Sequence, residues 1–430
     1  MKKTLIKVLS AGLIGLALAG CSTGNTSSSS TSGGTSTSSS TSTSTSTSTS
    51  TSSSTSSTST SVETETIDNI SSGSASVSFV YGSQTTTKTL SAAYLIDGVD
   101  VTVTSGTYAS ASSSSDQVVF LVINGGSLTI TGTESSPVSV TKSGSAASGG
   151  QVGDDYNFYG INSGIVVSGE GSSATITYAN ISTTSNGSNA IVATNEGTVN
   201  ITNSTITTSG SAGSRGLHTT YDGAITADNV SITTQGASCA SLANDRGGGS
   251  IVASNMTLET NSNGSPLVYS TDSITVTDST GTANSAQMVV VEGGSSATLT
   301  DCTFSCTGDG NRTGTSEIDT SNHTVDAAGI FIYQSVSGDS EEGTDYFTAT
   351  NCNLTVTGSD VPMFYLTNIT AVITLNNNTF SQVRTDYQLI AEATSEWGTS
   401  GSNGATVTLK LTNQDTLACY SGSTSSVTFA

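Results

Sequence analysis

From about Thr64 onward the apolar residues never take helical spacing. They alternate with Thr or Ser over a few positions, as in TVNIT, and each short run ends at Gly, Asn or Asp. Such alternation places one row of side chains on each face of a strand. Val, Ile and Thr, which fill the runs, suit a half-buried pleated surface, and Asn and Gly tolerate the left-handed backbone that tight corners demand. The pattern predicts many short strands and almost no helix.

The runs also recur at a fixed period. GSNAIVATNEGTVNITNSTITTSG from Gly187 overlays GSRGLHTTYDGAITADNVSITTQG from Gly213 and ASCASLANDRGGGSIVASNMTLET from Ala237, and further units begin at Gly264, Ala286, Ala327, Pro362 and Gln388. The interval from Thr208 to Ile225 equals that from Thr234 to Ile251, so adjacent units register without gaps. A unit this small cannot bury its own apolar face, and stacking on its neighbours solves that problem. Three strands per unit predict an all-β fold, a right-handed parallel β-helix of about 11–12 coils and roughly 55 Å length. A β-sandwich also uses short alternating strands, but it does not call for self-similar sequence. Ile191, Leu217, Leu267, Val289 and Phe331, or their immediate neighbours, are the expected inward residues. Ser143–Asn157 and Gly308–Asp326 read as loops leaving one flank, and residues from Val77 to Ala93 as a cap on the N-terminal end.

The first 63 residues do not share this pattern. Lys2, Lys3 and Lys7 precede the apolar stretch Val8–Leu18, which is too short to span a bilayer and has the form of a secretion leader. Leu18-Ala19-Gly20-Cys21 resembles the lipobox of bacterial lipoproteins, which implies lipidation at Cys21. Ser and Thr then dominate up to Ser61, with nothing apolar to bury, so this stretch reads as a disordered tether. The expected divisions are a leader at 1–20, a lipidated Cys and tether at 21–63, and the β-helix at 64–430. Localisation follows as extracytoplasmic, at the cell surface, with the membrane as a partner through the N-terminal lipid.

Composition narrows the partners. A net charge of −22 argues against nucleic acid. Cys239, Cys302, Cys306, Cys352 and Cys419, left once Cys21 is lipidated, do not form the framework of a disulfide scaffold. Cys302 and Cys352 take equivalent places in successive units and read as a reduced stack.

The segments RGLHTTYDG from Arg215, NDRGGGSI from Asn244, VVVEGG from Val289, IYQSVSGD from Ile332 and WGTSGSNG from Trp397 resemble those of adhesin-like β-helical surface proteins of bacteria. Their fold is related to that of pectate lyases. The resemblance spans about Asn157 to Ala430 and implies the fold and a surface location; it brings no settled activity.

Overlaying the coils gathers Arg215, His218, Asp245, Arg246, Tyr269, Glu292 and Gln334 into a row climbing one flank. In a chain whose outward residues are mostly Thr and Ser, such a row suggests a polysaccharide or surface-glycan site, with carboxylates accepting sugar hydroxyls and Arg gripping acidic sugars. The same row also reads as a structural ladder of salt bridges and amides that registers the coils. If the chain is an enzyme, Asp245 and Glu292 are the carboxyl pair of a glycoside hydrolase, and Arg246 and His218 serve a lyase. No zinc spacing is present, and no cofactor is expected beyond Ca²⁺, for which the acidic turn of Asp339, Glu341, Glu342 and Asp345 offers ligands. The leading reading is a lipid-anchored, adhesin-like module that binds glycans without catalysis. The alternatives are a polysaccharide-degrading enzyme and a purely structural rod.

Overall fold

A computed structural model of the chain describes residues 63–148, 153–335, 340, 342–399 and 402–430. The leader, Cys21 and the tether lie outside these residues.

Alternation becomes coils in the way the repeat predicts. Ile191–Thr194 is followed by Thr198–Thr208, a continuous strand bent at Asn203, and the next coil repeats this as Leu217–Thr220 and Gly223–Thr234. Ile191 pairs with Leu217, Val199 with Ile225 and Thr208 with Thr234, all in parallel. The equal intervals read from the sequence hold in three dimensions, since Ile225 stacks in turn on Ile251. The leading strands of the coils form a 13-stranded sheet. Twelve of its strands are parallel coils from Gln84–Asp97 to Cys419–Ser421, and the thirteenth, Gly73–Tyr81, runs antiparallel at the edge. All other coil strands belong to a 21-stranded sheet bent lengthwise into two columns.

The bend between the columns repeats in backbone conformation. Asn203, Asn229, Asn255, Asn351 and Asn377 all have φ between 50° and 55°. Asn visits this region at low cost because its short side chain bonds locally. Asn229 Nδ2 donates to Asn203 Oδ1 at 2.7 Å and Asn377 Nδ2 to Asn351 Oδ1 at 2.9 Å, so the corner side chains are linked from coil to coil.

The two columns bury one face and expose the other. In Thr198–Thr208, Val199, Ile201 and Ile206 enter the core while Asn200, Thr205 and Thr207 face out. The 13-stranded sheet differs. Its strands Ile165–Ser168, Val289–Glu292, Ile330–Tyr333 and Phe364–Thr367 are buried at every position. Unbroken apolar runs such as VVVE and IFIY belong to a sheet covered on both faces.

Two covers achieve this. Val77 and Phe79, on the hairpin formed by Gly73–Tyr81 and the start of Gln84–Asp97, pack with Phe158 and Tyr159 against the outward residues Val118, Val166 and Val192. The Phe79 ring lies 4.7 Å from that of Tyr159 and 5.1 Å from that of Tyr221, and Asn195 Nδ2 donates to the Ser78 carbonyl at 3.1 Å. Residues 77–93, expected as an end cap, thus lie largely along the side of the rod, because Val77 and Phe79 find an apolar partner there. Ile67 and Ile70, around the short turn Ile67–Asn69, pack instead against the main core beside the first coils. Val325, Ala328 and Trp397 form the second cover, over Phe331, Tyr333 and Tyr365. Around Phe331 it is the immediate neighbours Ile330 and Ile332 that enter the main core, and Phe331 itself points away from it. Ile191, Leu217, Leu267 and Val289 are inward as expected.

Leu217 sits between Ile191 and Leu242 in consecutive coils, fully buried. Leu217→Ala should lower stability by about 2–5 kcal/mol through lost burial and the cavity left behind. Urea unfolding followed by circular dichroism checks this; an unchanged midpoint would place Leu217 outside the core.

Candidate functional site beneath the covers

The row expected on one flank exists, and Arg215, His218, Asp245, Tyr269 and Glu292 in it are buried, while Arg246 and Gln334 are partly exposed. Arg215 follows the turn that begins its coil, and its Nη2 lies 3.1 Å from Asp245 Oδ2, one coil along. Its Nη1 donates to Asn157 Oδ1 at 2.9 Å. His218 Nε2 donates to the Asn157 carbonyl at 2.6 Å, so one residue of the covering loop holds both basic side chains. Arg215 is 1% exposed, His218 0% and Asp245 3%. Arg246 lays its guanidinium 4.0 Å from the centre of the Phe158 ring, a cation–π contact that fastens the same loop.

Further along, Glu292 is the hub. Its Oε2 accepts the hydroxyl of Tyr269 at 2.6 Å and that of Tyr333 at 2.7 Å, and it is 1% exposed. Burial, then the Glu292 charge, holds both phenols well above their ordinary pKa, so they remain donors. Gln334 Nε2 donates to Ser340 Oγ at 3.2 Å, and Ser340 Oγ in turn reaches Glu292 Oε1 at 3.4 Å. The row thus forms two knots, one around Arg215 and Asp245 and one around Glu292. A third, unforeseen, joins Tyr365 to Glu392 at 2.8 Å and Glu392 to the Ile318 amide at 2.7 Å. Its signal was present in the sequence, since Glu392 follows Ile390 as Glu292 follows Val290.

Chemically the carboxylates of this row are engaged by protein groups and shielded from solvent. A hydrolase pair must reach a glycosidic oxygen and a water, whereas Asp245 and Glu292 are turned into protein contacts. His218 is pushed down to about 3 by burial and then by the Arg215 charge, and its Nε2 proton is committed to a carbonyl. Of the acidic turn, Glu342 is exposed, and Asp345 is buried with its carboxyl receiving the Ser295 amide at 3.0 Å. Burial raises Asp345 to about 8, the protonated side of neutrality. Asp339 and Glu341 lie outside the described residues. Among the described residues no three His, Cys, Asp or Glu side chains gather around a metal position. Tyr156, Phe158, Tyr159 and Trp397 are all buried in the covers. Cys302 and Cys352 precede paired strands of adjacent coils, each thiol donates to a backbone carbonyl, that of Thr300 at 3.3 Å and that of Thr350 at 3.3 Å, and neither forms a disulfide.

The open ground is elsewhere. A groove of about 560 Å³ runs between the hairpin and the turns after the covered sheet, lined by Ser76, Ser78, Asn124, Glu170, Glu196 and Asp222. On the bent sheet, outward Thr205, Ser231, Thr257, Thr280 and Thr303 stand in register in five successive coils.

Sequence comparison supplies the handedness. Residues 163–338 match the family described as right handed beta helix region. The chain folds as a right-handed parallel β-helix. A search of curated proteins finds no match to this β-helix. Among solved structures it is similar to the catalytic domain of a GH87 alpha-1,3-glucanase in complex with nigerose, at 13% identity and a TM-score of 0.37. The likeness covers 77% of this chain, and the chain spans 63% of that structure's length.

Two outcomes follow for the buried row of the β-helix. Arg215→Ala should cost about 3–5 kcal/mol, since it leaves the Asp245 charge buried without its partner. Equilibrium unfolding tests this, and a loss below 1 kcal/mol would mean that the pair is solvated. His218, depressed in the fold to about 3 from 6.5, stays neutral there while the unfolded chain takes up a proton. Its share of stability is therefore full above pH 6.5 and is lost as pH falls toward 3. Asp326, raised to about 6, and Asp345, raised to about 8, act oppositely, losing their share as pH rises. Comparison with His218→Gln isolates the His effect: between pH 7 and 4 the wild type should lose about 3 kcal/mol more than the variant. Parallel stability curves for the two proteins would show that His218 is not sealed.

Proposed function

We propose that this chain is a lipid-tethered, adhesin-like rod on a bacterial surface that binds glycans on its uncovered sheet without cleaving them. The observation that carries the reading is the division of the surface. The carboxylates of the charged row, Asp245 and Glu292, and the His218 imidazole are sealed under the covers, while in-register rows of hydroxyl and amide groups lie open along the bent sheet. Each coil advances by about 4.8 Å, close to the advance per unit of an extended sugar chain, so one row offers a donor or acceptor to each successive residue of a polymer. Individually such contacts are weak, and affinity comes from repetition along the rod. Anchorage at Cys21 and a tether of some 40 residues, with a root-mean-square reach of about 35 Å, complete the reading by holding the rod clear of the lipid headgroups.

Incubating the full chain with neutral and acidic polysaccharides, and following both retention and new reducing or unsaturated ends, tests this directly. Retention of at least one neutral polymer without product is expected; product formation that Glu292→Gln abolishes would overturn the non-catalytic reading. The anchor is tested separately, because Cys21→Ser should abolish incorporation of radiolabelled palmitate and release the protein from the membrane fraction. Unchanged labelling of that variant would remove the anchor from the account.

A further inference from the structure

The corner between the two columns departs from its usual residue toward the N-terminal end. Asn or Asp holds the left-handed position in coil after coil, from Asn203 to Asn413, but in the coil before Asn203 the residue is Tyr178, at φ 52°. A bulky aromatic pays for this conformation in strain that Asn avoids. Packing offers little in return, since Tyr178 joins none of the apolar clusters and is only partly buried. Among the described residues its hydroxyl has no hydrogen-bond partner.

What Tyr178 does border is a groove of about 310 Å³ running along the corner, with Asn203, Asn229 and Asn255 beyond it and Thr205 and Ser231 on one wall. The turn that carries Glu134 and Pro137 borders the same groove. Asn229 donates to Asn203, and Asn255 donates to Asp228 at 2.6 Å. This leaves the Asn203 amide NH₂ and the Asn229 carbonyl without a partner among the described residues, one donor and one acceptor on neighbouring coils. A flat aromatic face beside a line of amides and hydroxyls is suited to a sugar ring and the hydroxyls of the units that follow it.

We infer that the corner groove of Tyr178, Asn203 and Asn229 is a binding site for an extended neutral oligosaccharide lying parallel to the rod. The inference rests on the glycan-binding reading above and gives it a location. Tyr178 stacks on one ring, and Asn203 and Asn229 hydrogen-bond to units one and two coil steps further on. The sparse charge of the lining favours a neutral polymer over an acidic one.

The test is titration of the full chain with cellohexaose, beside Tyr178→Asn and Tyr178→Phe. Tyr178→Asn restores the corner's usual residue, so its melting temperature should equal or exceed that of the wild type while affinity falls roughly tenfold with the loss of stacking. Tyr178→Phe keeps the ring and should bind within about twofold of the wild type, since stacking rather than the hydroxyl carries the contact. Wild-type affinity in Tyr178→Asn would overturn the groove and leave glycan binding standing on another part of the sheet. Retention of polysaccharides by the wild type without any binding of cellohexaose would do the same. A wild type that neither binds cellohexaose nor retains any polysaccharide would overturn the site and the glycan-binding reading together.

Discussion

In-register stacking of one coil on the next is the constraint on which the rest of the molecule depends. A parallel coil of about two dozen residues satisfies its backbone only through its neighbours, so every position is fixed relative to the equivalent position one step along the rod. Each residue type then becomes a row. Inward Val, Ile and Leu become a continuous core, Asn at the left-handed bend becomes a linked corner, and outward Thr becomes an open array. A charged residue in one coil meets whatever the next coil offers, which is why Arg215 finds Asp245 and Tyr269 finds Glu292.

Rows of buried charge remain stable only when closed over. The Arg215–Asp245 pair gains enough to offset its desolvation because Asn157, from the covering loop, takes up a further guanidinium donor. The Glu292 carboxylate is similarly held by two phenols within the outer apolar cluster. Cover and row therefore depend on each other, the loops hiding the charges and the charges giving the loops a fixed seat. This arrangement leaves the bent sheet as the surface free to meet a partner.

Much of this was legible in the sequence. The repeat, the register of Thr208–Ile225 on Thr234–Ile251 and the gathering of Arg215, Asp245 and Glu292 on one flank all follow from periodicity, which stacking converts directly into space. The covers were not legible, because the Gly73–Tyr81 hairpin meets Tyr159 and Tyr221 across a separation of many coils and carries no periodic signal of its own. Without the covers, the row looked exposed, and nothing distinguished Phe331 from its neighbours as the inward residue. The unbroken apolar runs IFIY and VVVE held the missing clue, since a sheet open on one side would alternate. Tyr178 escaped notice for the opposite reason: in sequence it is one tyrosine among thirteen, and only its backbone conformation distinguishes it.

The account stands or falls on whether the charged row is sealed. Carbodiimide labelling of carboxylates in the native full chain, read by peptide mass spectrometry, measures this residue by residue. Glu170, Glu196, Asp222 and Asp272 are exposed and should label readily, while Asp245, Glu292 and Glu392, at 3%, 1% and 0% exposure, should label only after unfolding in urea. Labelling of Asp245 and Glu292 in the native protein at the rate of Glu196 would contradict the account, opening the row to solvent and returning it to contention as the functional surface.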